Sequence, residues 1–135
     1  MTIENANTAD IVMAAYRTYA DKDRAALEKL ISRDFRFTSP LDDGIDRAAY
    51  FERCWPNSEA MVGHEIKRVQ VEGEAAFVTY ECLMKDGRRF RNTEFLTTRA
   101  GQVTSVEVYF GWNIPRAIAD RKSPKVLATN DQLNG

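Results

Sequence analysis

The chain has 135 residues, of which 44% are hydrophobic and 29% charged, and its formal net charge is −1. This composition is typical of a globular domain and argues against a disordered or membrane-embedded chain. Acidic and basic residues are nearly balanced, with neither a basic stripe nor an acidic tail, which argues against nucleic acid and cationic partners.

The amino terminus is polar, and its first ten residues, MTIENANTAD, contain no apolar stretch suited to a signal peptide or a membrane span. We therefore expect a cytoplasmic protein that contacts no membrane. Cys54 and Cys82 lie among apolar residues and are interpreted as structural thiols. With His64 as the only histidine, they do not supply the four ligands of a structural zinc site, and we expect neither a metal nor another cofactor.

Three helices are predicted in the first half of the chain. Apolar residues recur with i, i+3, i+4 spacing along residues 9–23, which indicates an amphipathic helix. A second apolar face follows along 24–31, where Asp23 is suited to accept the N-cap hydrogen bond. Asp46 stands in the same way before a third helix over 47–55, which the following proline ends.

The remaining elements are predicted to be strands. A short strand over 34–40 ends at its proline and leads into a loop over 41–44. From residue 61 onward, glycine-containing turns separate four long alternating segments, which are predicted as strands at 61–72, 75–85, 88–98 and 102–112. Helices followed by a meander predict an α+β fold, with the helices packed across the concave face of a strongly curved antiparallel sheet. The tail from Ile114 lacks periodicity and is predicted to follow the surface or a partner subunit.

The strand at 88–98 carries a carboxylate whose orientation bears on function. Alternation places Asn92 and Glu94 on one face of the sheet, and Arg91 and Thr93 on the other. Three-residue turns on both sides, each ending in glycine, direct Asn92 and Glu94 inward, whereas two-residue turns direct Arg91 and Thr93 inward. The three-residue turns predict the pairs Cys82–Phe90, Tyr80–Asn92, Val78–Glu94, Glu94–Val106 and Asn92–Val108.

An inward Glu94 is a candidate general base. Burial among apolar neighbours raises the pKa of a carboxyl group towards the range in which it exchanges protons at neutral pH. Asn92 and Tyr80 could then hydrogen-bond a substrate oxygen. The alternative is a structural Glu94, paired with an arginine or capped by hydroxyl groups. His64 is either a second titrating group of the cavity or a surface histidine.

Several side chains are candidates for the wall of an apolar pocket, although each is also explained by core packing. Asp42 and Asp43 could reach the mouth of such a cavity or belong only to a turn. The predicted pocket residues are Tyr16, Phe37, Ser39, Trp55, Cys82, Phe90, Val108 and Phe110.

The order of elements, with the segments DKDRAALEKLISRDFRFTSP and RAGQVTSVEVYFG, resembles the nuclear transport factor two-like superfamily. Within it, the chain is most similar to SnoaL-like and ketosteroid-isomerase-like proteins, over about residues 8–113. The resemblance implies a cystatin-like conical α+β barrel with an apolar pocket, and a homodimer formed through the outer sheet face. It also implies one SnoaL-like domain over 1–135, with 114–135 as a C-terminal tail.

The resemblance transfers catalytic residues poorly. The position of the steroid isomerases' base aspartate is Ser39 here, and their second aspartate falls near Asn92. The last-strand aspartate of limonene epoxide hydrolases falls on Val108, so neither activity is expected. SnoaL-type cyclases use an aspartate and a histidine, for which Glu94 and His64 are conceivable substitutes.

Two hypotheses follow from the residues and the resemblance together. The first is a cofactor-free isomerase, cyclase or dehydratase that acts on a small apolar carbonyl compound, with Glu94 as base. The second is a non-catalytic ligand-binding or dimerisation module of the same fold. The enzyme hypothesis requires a closed apolar cavity that Glu94 reaches without an arginine partner.

Overall fold

The computed structural model describes residues 7–114 of the chain. It is an α+β fold, as predicted, and the four strands of the meander lie within one residue of their predicted bounds. The helices are α1 (Thr8–Asp21), α2 (Arg24–Leu30), α3 (Arg47–Arg53) and a 3-10 helix (Trp55–Ala60); the strands are β1 (Ile31–Ser39), β2 (Asp42–Asp46), β3 (Met61–Glu72), β4 (Ala75–Met84), β5 (Arg89–Arg99) and β6 (Gln102–Asn113).

Side-chain caps fix where the helices begin. The carboxylate of Asp23 accepts a hydrogen bond from the backbone N–H of Ala26 at 3.1 Å. Asp46 caps α3 in the same way, with the N–H of Ala49 at 2.9 Å. Both caps were predicted, and both satisfy a backbone donor that the first helical turn leaves unpaired.

The six strands form one mixed sheet in the order β2-β1-β6-β5-β4-β3. The first strand runs parallel to β6, and the other neighbours are antiparallel. The sheet is curled around the helices and not closed, because β2 and β3 are its two edges. The predicted loop at 41–44 was wrong, since residues Asp42–Asp46 pair with β1 across the turn at Pro40. This strand is short and polar, so alternation gives little sign of it.

The β4–β5 hairpin has the predicted register. Cys82 lies opposite Phe90, Tyr80 opposite Asn92, and Val78 opposite Glu94. Its turn uses a left-handed conformation at Gly87, with φ of 91°, as the three-residue loop requires. Asn92 and Glu94 therefore face the concave side of the sheet, as predicted.

The β5–β6 hairpin differs from the prediction. Its turn has two residues, Ala100 and Gly101, both with positive φ, and Glu94 pairs with Val108 instead of Val106. A two-residue turn alone would reverse the faces of β5 relative to β6. A register shift between Thr97 and Thr98 adds one residue to β6 and restores the original faces.

The hydrophobic core lies between α1 and the concave face of the sheet, where α1 contacts β3, β4, β5 and β6. Val12 of α1, Phe35 of β1 and Val78 of β4 are among its fully buried side chains. Within the described residues, none of the helices has the length and apolar character needed to cross a membrane. The predicted path of the tail beyond Ile114 lies outside the described residues.

Candidate functional site

A cavity of about 650 Å³ lies between the helices and the concave face of the sheet. This volume falls within the range of about 300–1,000 Å³ that is usual for small-molecule sites. Buried apolar residues, including Leu27, Phe35 and Val103, form part of its wall. Leu41, Phe110 and Trp112 also line it and are exposed, so the cavity is open at its rim instead of closed.

The cavity brings together the predicted site residues with one exception. Trp55 is outside the lining and packs against Tyr19, with ring centroids 4.9 Å apart. It begins the 3-10 helix after α3 has ended, so it does not continue the helix that was predicted over 47–55. The predicted residues that line the cavity are Tyr16, Phe37, Ser39, His64, Tyr80, Cys82, Phe90, Asn92, Glu94, Val108 and Phe110.

Glu94 is held between two tyrosine hydroxyl groups. Tyr16 of α1 donates to Oε1 at 2.6 Å, and Tyr80 of β4 donates to Oε2 at 2.9 Å. No ion pair to Glu94 is formed by any residue between 7 and 114. The requirement that Glu94 reach the cavity without an arginine partner is therefore met.

Burial dominates the proton affinity of this cluster. It raises the pKa of Glu94 above the usual 4.5, and the two tyrosine hydrogen bonds oppose that rise in part. Burial, reinforced by the charge of Glu94, also raises the pKa of Tyr16 and of Tyr80 well above 10.0. The phenols therefore keep their protons, and the carboxyl group is the member of the cluster that titrates.

Asn92 supports this cluster from the neighbouring position on β5. Its Nδ2 donates to the Tyr80 hydroxyl oxygen at 3.3 Å, and its Oδ1 accepts from the backbone N–H of Gly111 at 3.2 Å. The amide is thereby oriented, and the second Nδ2 hydrogen is left for another acceptor.

His64 faces the cavity and is half-buried, which agrees with the first of the two predicted alternatives. Its ring lies 5.7 Å from that of Tyr16 and 6.2 Å from that of Tyr80, measured between centroids. Burial lowers the pKa of His64 below 6.5, so the imidazole is neutral at neutral pH. A neutral imidazole offers the cavity one N–H hydrogen-bond donor and one nitrogen acceptor.

A second carboxylate lines the cavity, that of Asp42. Ser39 donates to its Oδ2 at 3.2 Å, and the Arg53 guanidinium lies 2.6 Å from its Oδ1. Asp42 thus has a cationic partner, whereas Glu94 has none among residues 7–114. Asp43, the other predicted candidate at the mouth, is exposed and outside the lining.

Sequence reasoning missed a second pair of tyrosines in the cavity, Tyr19 of α1 and Tyr50 of α3, whose hydroxyl groups are hydrogen-bonded to each other. Both lie on the apolar faces of their helices, where a tyrosine is readily explained by core packing. The signal that could have found the first is its position three residues after Tyr16, on the same helix face.

Three solved structures illustrate the proteins to which this chain is similar in fold. The chain is 20% identical to a nuclear transport factor two-like protein of unknown function from Cytophaga hutchinsonii, with a TM-score of 0.66 over 79% of this chain and 92% of that one. A candidate ketosteroid isomerase from Kribbella flavida is 16% identical to this chain, with a TM-score of 0.68 over 95% of this chain and 90% of that one. A candidate polyketide cyclase from Sinorhizobium meliloti is 19% identical, with a TM-score of 0.62 over 80% of this chain and 99% of that one.

These identities establish the fold alone. No curated protein matches the sequence. The model of the SnoaL-like domain family, in contrast, matches residues 12–106, which include most of α1, all of β5 with its Glu94, and most of the cavity wall. The chain therefore belongs to the SnoaL-like domain family.

Proposed function

We propose that the cavity binds a small apolar carbonyl compound and that Glu94 removes a proton from the carbon next to the carbonyl group. The reaction would be a cofactor-free isomerisation, cyclisation or dehydration. One observation carries the proposal: Glu94 enters the cavity between two neutral hydroxyl groups, without a cationic partner among residues 7–114.

The environment of Glu94 suits a general base. A carboxylate has about four lone-pair positions, and Tyr16 and Tyr80 occupy two of them. The others are left for a proton of the bound ligand. Because burial raises the pKa of Glu94, the carboxylate is a stronger base than one in water.

The groups around Glu94 suit the charge that then develops on the carbonyl oxygen. When the C–H electron pair forms the enolate double bond, the carbonyl electrons move to oxygen, which becomes negative. Protonated Glu94 accepts hydrogen bonds less strongly, so the Tyr80 hydroxyl is released towards that oxygen. Asn92 offers its second amide hydrogen, and preorganised donors of this kind stabilise an enolate.

The apolar wall would hold the carbon skeleton. Phe37, Phe90 and Val108 line the cavity without charged groups of their own, and Phe110 lies at the exposed rim. An isomerisation requires return of the proton at a second carbon, and protonated Glu94 would deliver it and regain its carboxylate. Neutral His64 lies near both tyrosines and would offer the ligand a hydrogen bond.

Exchange of carbon-bound hydrogen in D₂O tests the proposal without knowledge of the natural substrate. The protein should accelerate deuterium incorporation next to the carbonyl of 2-decalone, observed by NMR. Glu94→Gln should reduce the rate by about 10²- to 10⁴-fold, while the thermal midpoint and 2-decalone binding are retained. The wild-type rate should fall as the pH decreases through the raised pKa of Glu94, because the protonated carboxyl accepts no proton.

The alternative is a non-catalytic ligand-binding or dimerisation module. The observation that favours it is that both oxygens of Glu94 are already hydrogen-bonded, as in a structural clamp between α1 and the sheet. This alternative predicts that 2-decalone binds without any accelerated exchange. An exchange rate that Glu94→Gln leaves unchanged would likewise remove Glu94 as the base.

A further inference from the structure

The Tyr19–Tyr50 pair is part of the cavity wall, but the proposed proton transfer does not use it. Tyr19 reaches the cavity from α1 and Tyr50 from α3, and their hydroxyl oxygens are in direct hydrogen-bond contact. Apolar rings surround them: Tyr50 packs on Phe35 and Phe37, with centroids 5.0 and 5.1 Å away. Tyr50 is itself almost fully buried, with 6% of its surface exposed.

A count of protons shows that this pair is incomplete. Two hydroxyl groups carry two donor protons, and a hydrogen bond between them uses one. No acceptor for the second proton is found among residues 7–114, since the mutual bond is the only hydrogen bond that either hydroxyl makes there. A buried donor without an acceptor is unfavourable, so the site favours a ligand that supplies one.

The other two tyrosines of the cavity are different. Tyr16 and Tyr80 both donate to Glu94, so neither has a proton to spare while the carboxylate is ionised. Burial raises the pKa of Tyr19 and of Tyr50 well above 10.0, so both remain protonated donors at neutral pH. The cavity thus has two poles: a basic pole at Glu94, where the second amide hydrogen of Asn92 remains for a carbonyl oxygen, and a donating pole at the Tyr19–Tyr50 pair.

We propose that the Tyr19–Tyr50 pair binds an oxygen acceptor of the ligand that is separate from the carbonyl group beside Glu94. The ligands are then apolar compounds with at least two oxygen functions, one at each pole. A hydrocarbon skeleton with a single carbonyl group fills only one of them. This inference rests on the proposed function, because it takes the reacting carbonyl to lie at Glu94.

Paired probes isolate the donating pole. Dissociation constants would be measured by NMR titration for 2-decalone and for decalin-1,6-, -2,6- and -2,7-dione, which keep the skeleton and a carbonyl of the 2-decalone type and add a second carbonyl. At least one dione should bind the wild type about three- to tenfold more tightly than 2-decalone, the size of one neutral hydrogen bond. The double variant Tyr19→Phe, Tyr50→Phe should lose that advantage.

The control is Tyr109→Phe, which removes a hydroxyl that donates to Glu107 at 2.9 Å on the outer face of the sheet. It should keep the dione advantage. Phenylalanine preserves the rings, and near-UV circular dichroism checks that each variant is folded. The inference is overturned alone if 2-decalone still undergoes Glu94-dependent exchange but no dione binds more tightly, or if the double variant keeps the advantage. If neither 2-decalone nor any of the diones binds, the proposed function fails together with this inference.

Discussion

Two glutamates with buried carboxyl groups, on adjacent strands, have partners of different charge. Glu81 of β4 points to the outer face, is fully buried, and contacts the guanidinium groups of Arg89 and Arg91. Glu94 of β5 points to the cavity, and among residues 7–114 its carboxylate oxygens are hydrogen-bonded to neutral hydroxyl groups. Protonation of Glu81 would leave buried positive charge without its partner, whereas protonation of Glu94 leaves none. Glu81 thus has the arginine pairing that was one structural alternative for Glu94, whereas Glu94 has the hydroxyl caps of the other.

This contrast predicts that a Glu→Gln substitution changes the free energy of unfolding by different amounts at the two positions. Glu81→Gln should lower the free energy of unfolding by about 3–5 kcal/mol, because Arg89 is buried and loses its counter-charge. Glu94→Gln should change it by less than about 1 kcal/mol, because an amide can still hydrogen-bond the tyrosines. Urea denaturation of each variant measures both values.

The matched control for Glu81 is the exposed pair between Arg24 and Glu28 on α2, 2.7 Å apart. Glu28→Gln should cost at most about 1 kcal/mol, as exposed ion pairs do. If Glu81→Gln costs no more than Glu28→Gln, the buried network does not hold the outer face together, and the contrast with Glu94 is lost.

At the level of elements, the β5–β6 hairpin sets the position of Glu94 through two compensating features. The turn places Ala100 in the left-handed region, with φ of 52°, and the shift between Thr97 and Thr98 corrects the face that such a turn would reverse. A side chain with a Cβ is strained in this region, whereas glycine is not.

Ala100→Gly should therefore stabilise the protein by about 0.5–1 kcal/mol, the relief of strain being offset in part by the greater entropy of the unfolded chain. Chemical denaturation measures the change. Gly101→Ala should have the opposite effect, because Gly101 has φ of 81°. Equal stability of Ala100→Gly and the wild type would show that the turn is not strained at Ala100.

Local features of the sequence explain why most elements could be predicted. Glycine turns and alternation gave the four strands of the meander, and Asp23 and Asp46 gave two helix starts. The parallel pairing of β1 with β6 joins strands far apart in the chain, and no local pattern encodes it. The predicted register of the β5–β6 hairpin was wrong by two residues. A three-residue turn and a two-residue turn followed by a bulge leave the same side chains on the same face, so alternation cannot distinguish them.

The features of the site that depend on local pattern could likewise be predicted, and those that depend on helix packing could not. The inward face of Glu94 follows from alternation, and Tyr80 from strand pairing. The bond from Tyr16 joins residues 78 positions apart, so it depends on how α1 docks on the sheet. The Tyr19–Tyr50 contact depends in the same way on the packing of α1 against α3, since 31 positions separate the two residues.

At the scale of the whole molecule, the two faces of the sheet are covered differently. The helices and the cavity occupy the concave face. On the outer face, Phe77 and Tyr109 are 51% and 54% exposed, and Phe77 packs on Phe95 with centroids 4.8 Å apart. None of the described elements covers these aromatic side chains. Exposed aromatic clusters of this kind are typical of interfaces between proteins.

We therefore predict a homodimer formed through the outer face of the sheet. Phe77→Glu would place a charge in each half of that interface without a partner, and should convert the dimer to a monomer in size-exclusion chromatography with light scattering. The wild-type thermal midpoint should rise with protein concentration, and that of the variant should not. Met13→Glu, on the exposed side of α1, is the control and should remain dimeric.

The same variant separates assembly from ligand binding. The outer face and the cavity lie on opposite sides of the sheet, so monomeric Phe77→Glu should bind 2-decalone with the wild-type dissociation constant. A wild type that is monomeric at every concentration would contradict the predicted dimer. Loss of 2-decalone binding in a folded, monomeric Phe77→Glu would contradict the separation of the two faces, because the curvature of the sheet would then depend on the partner.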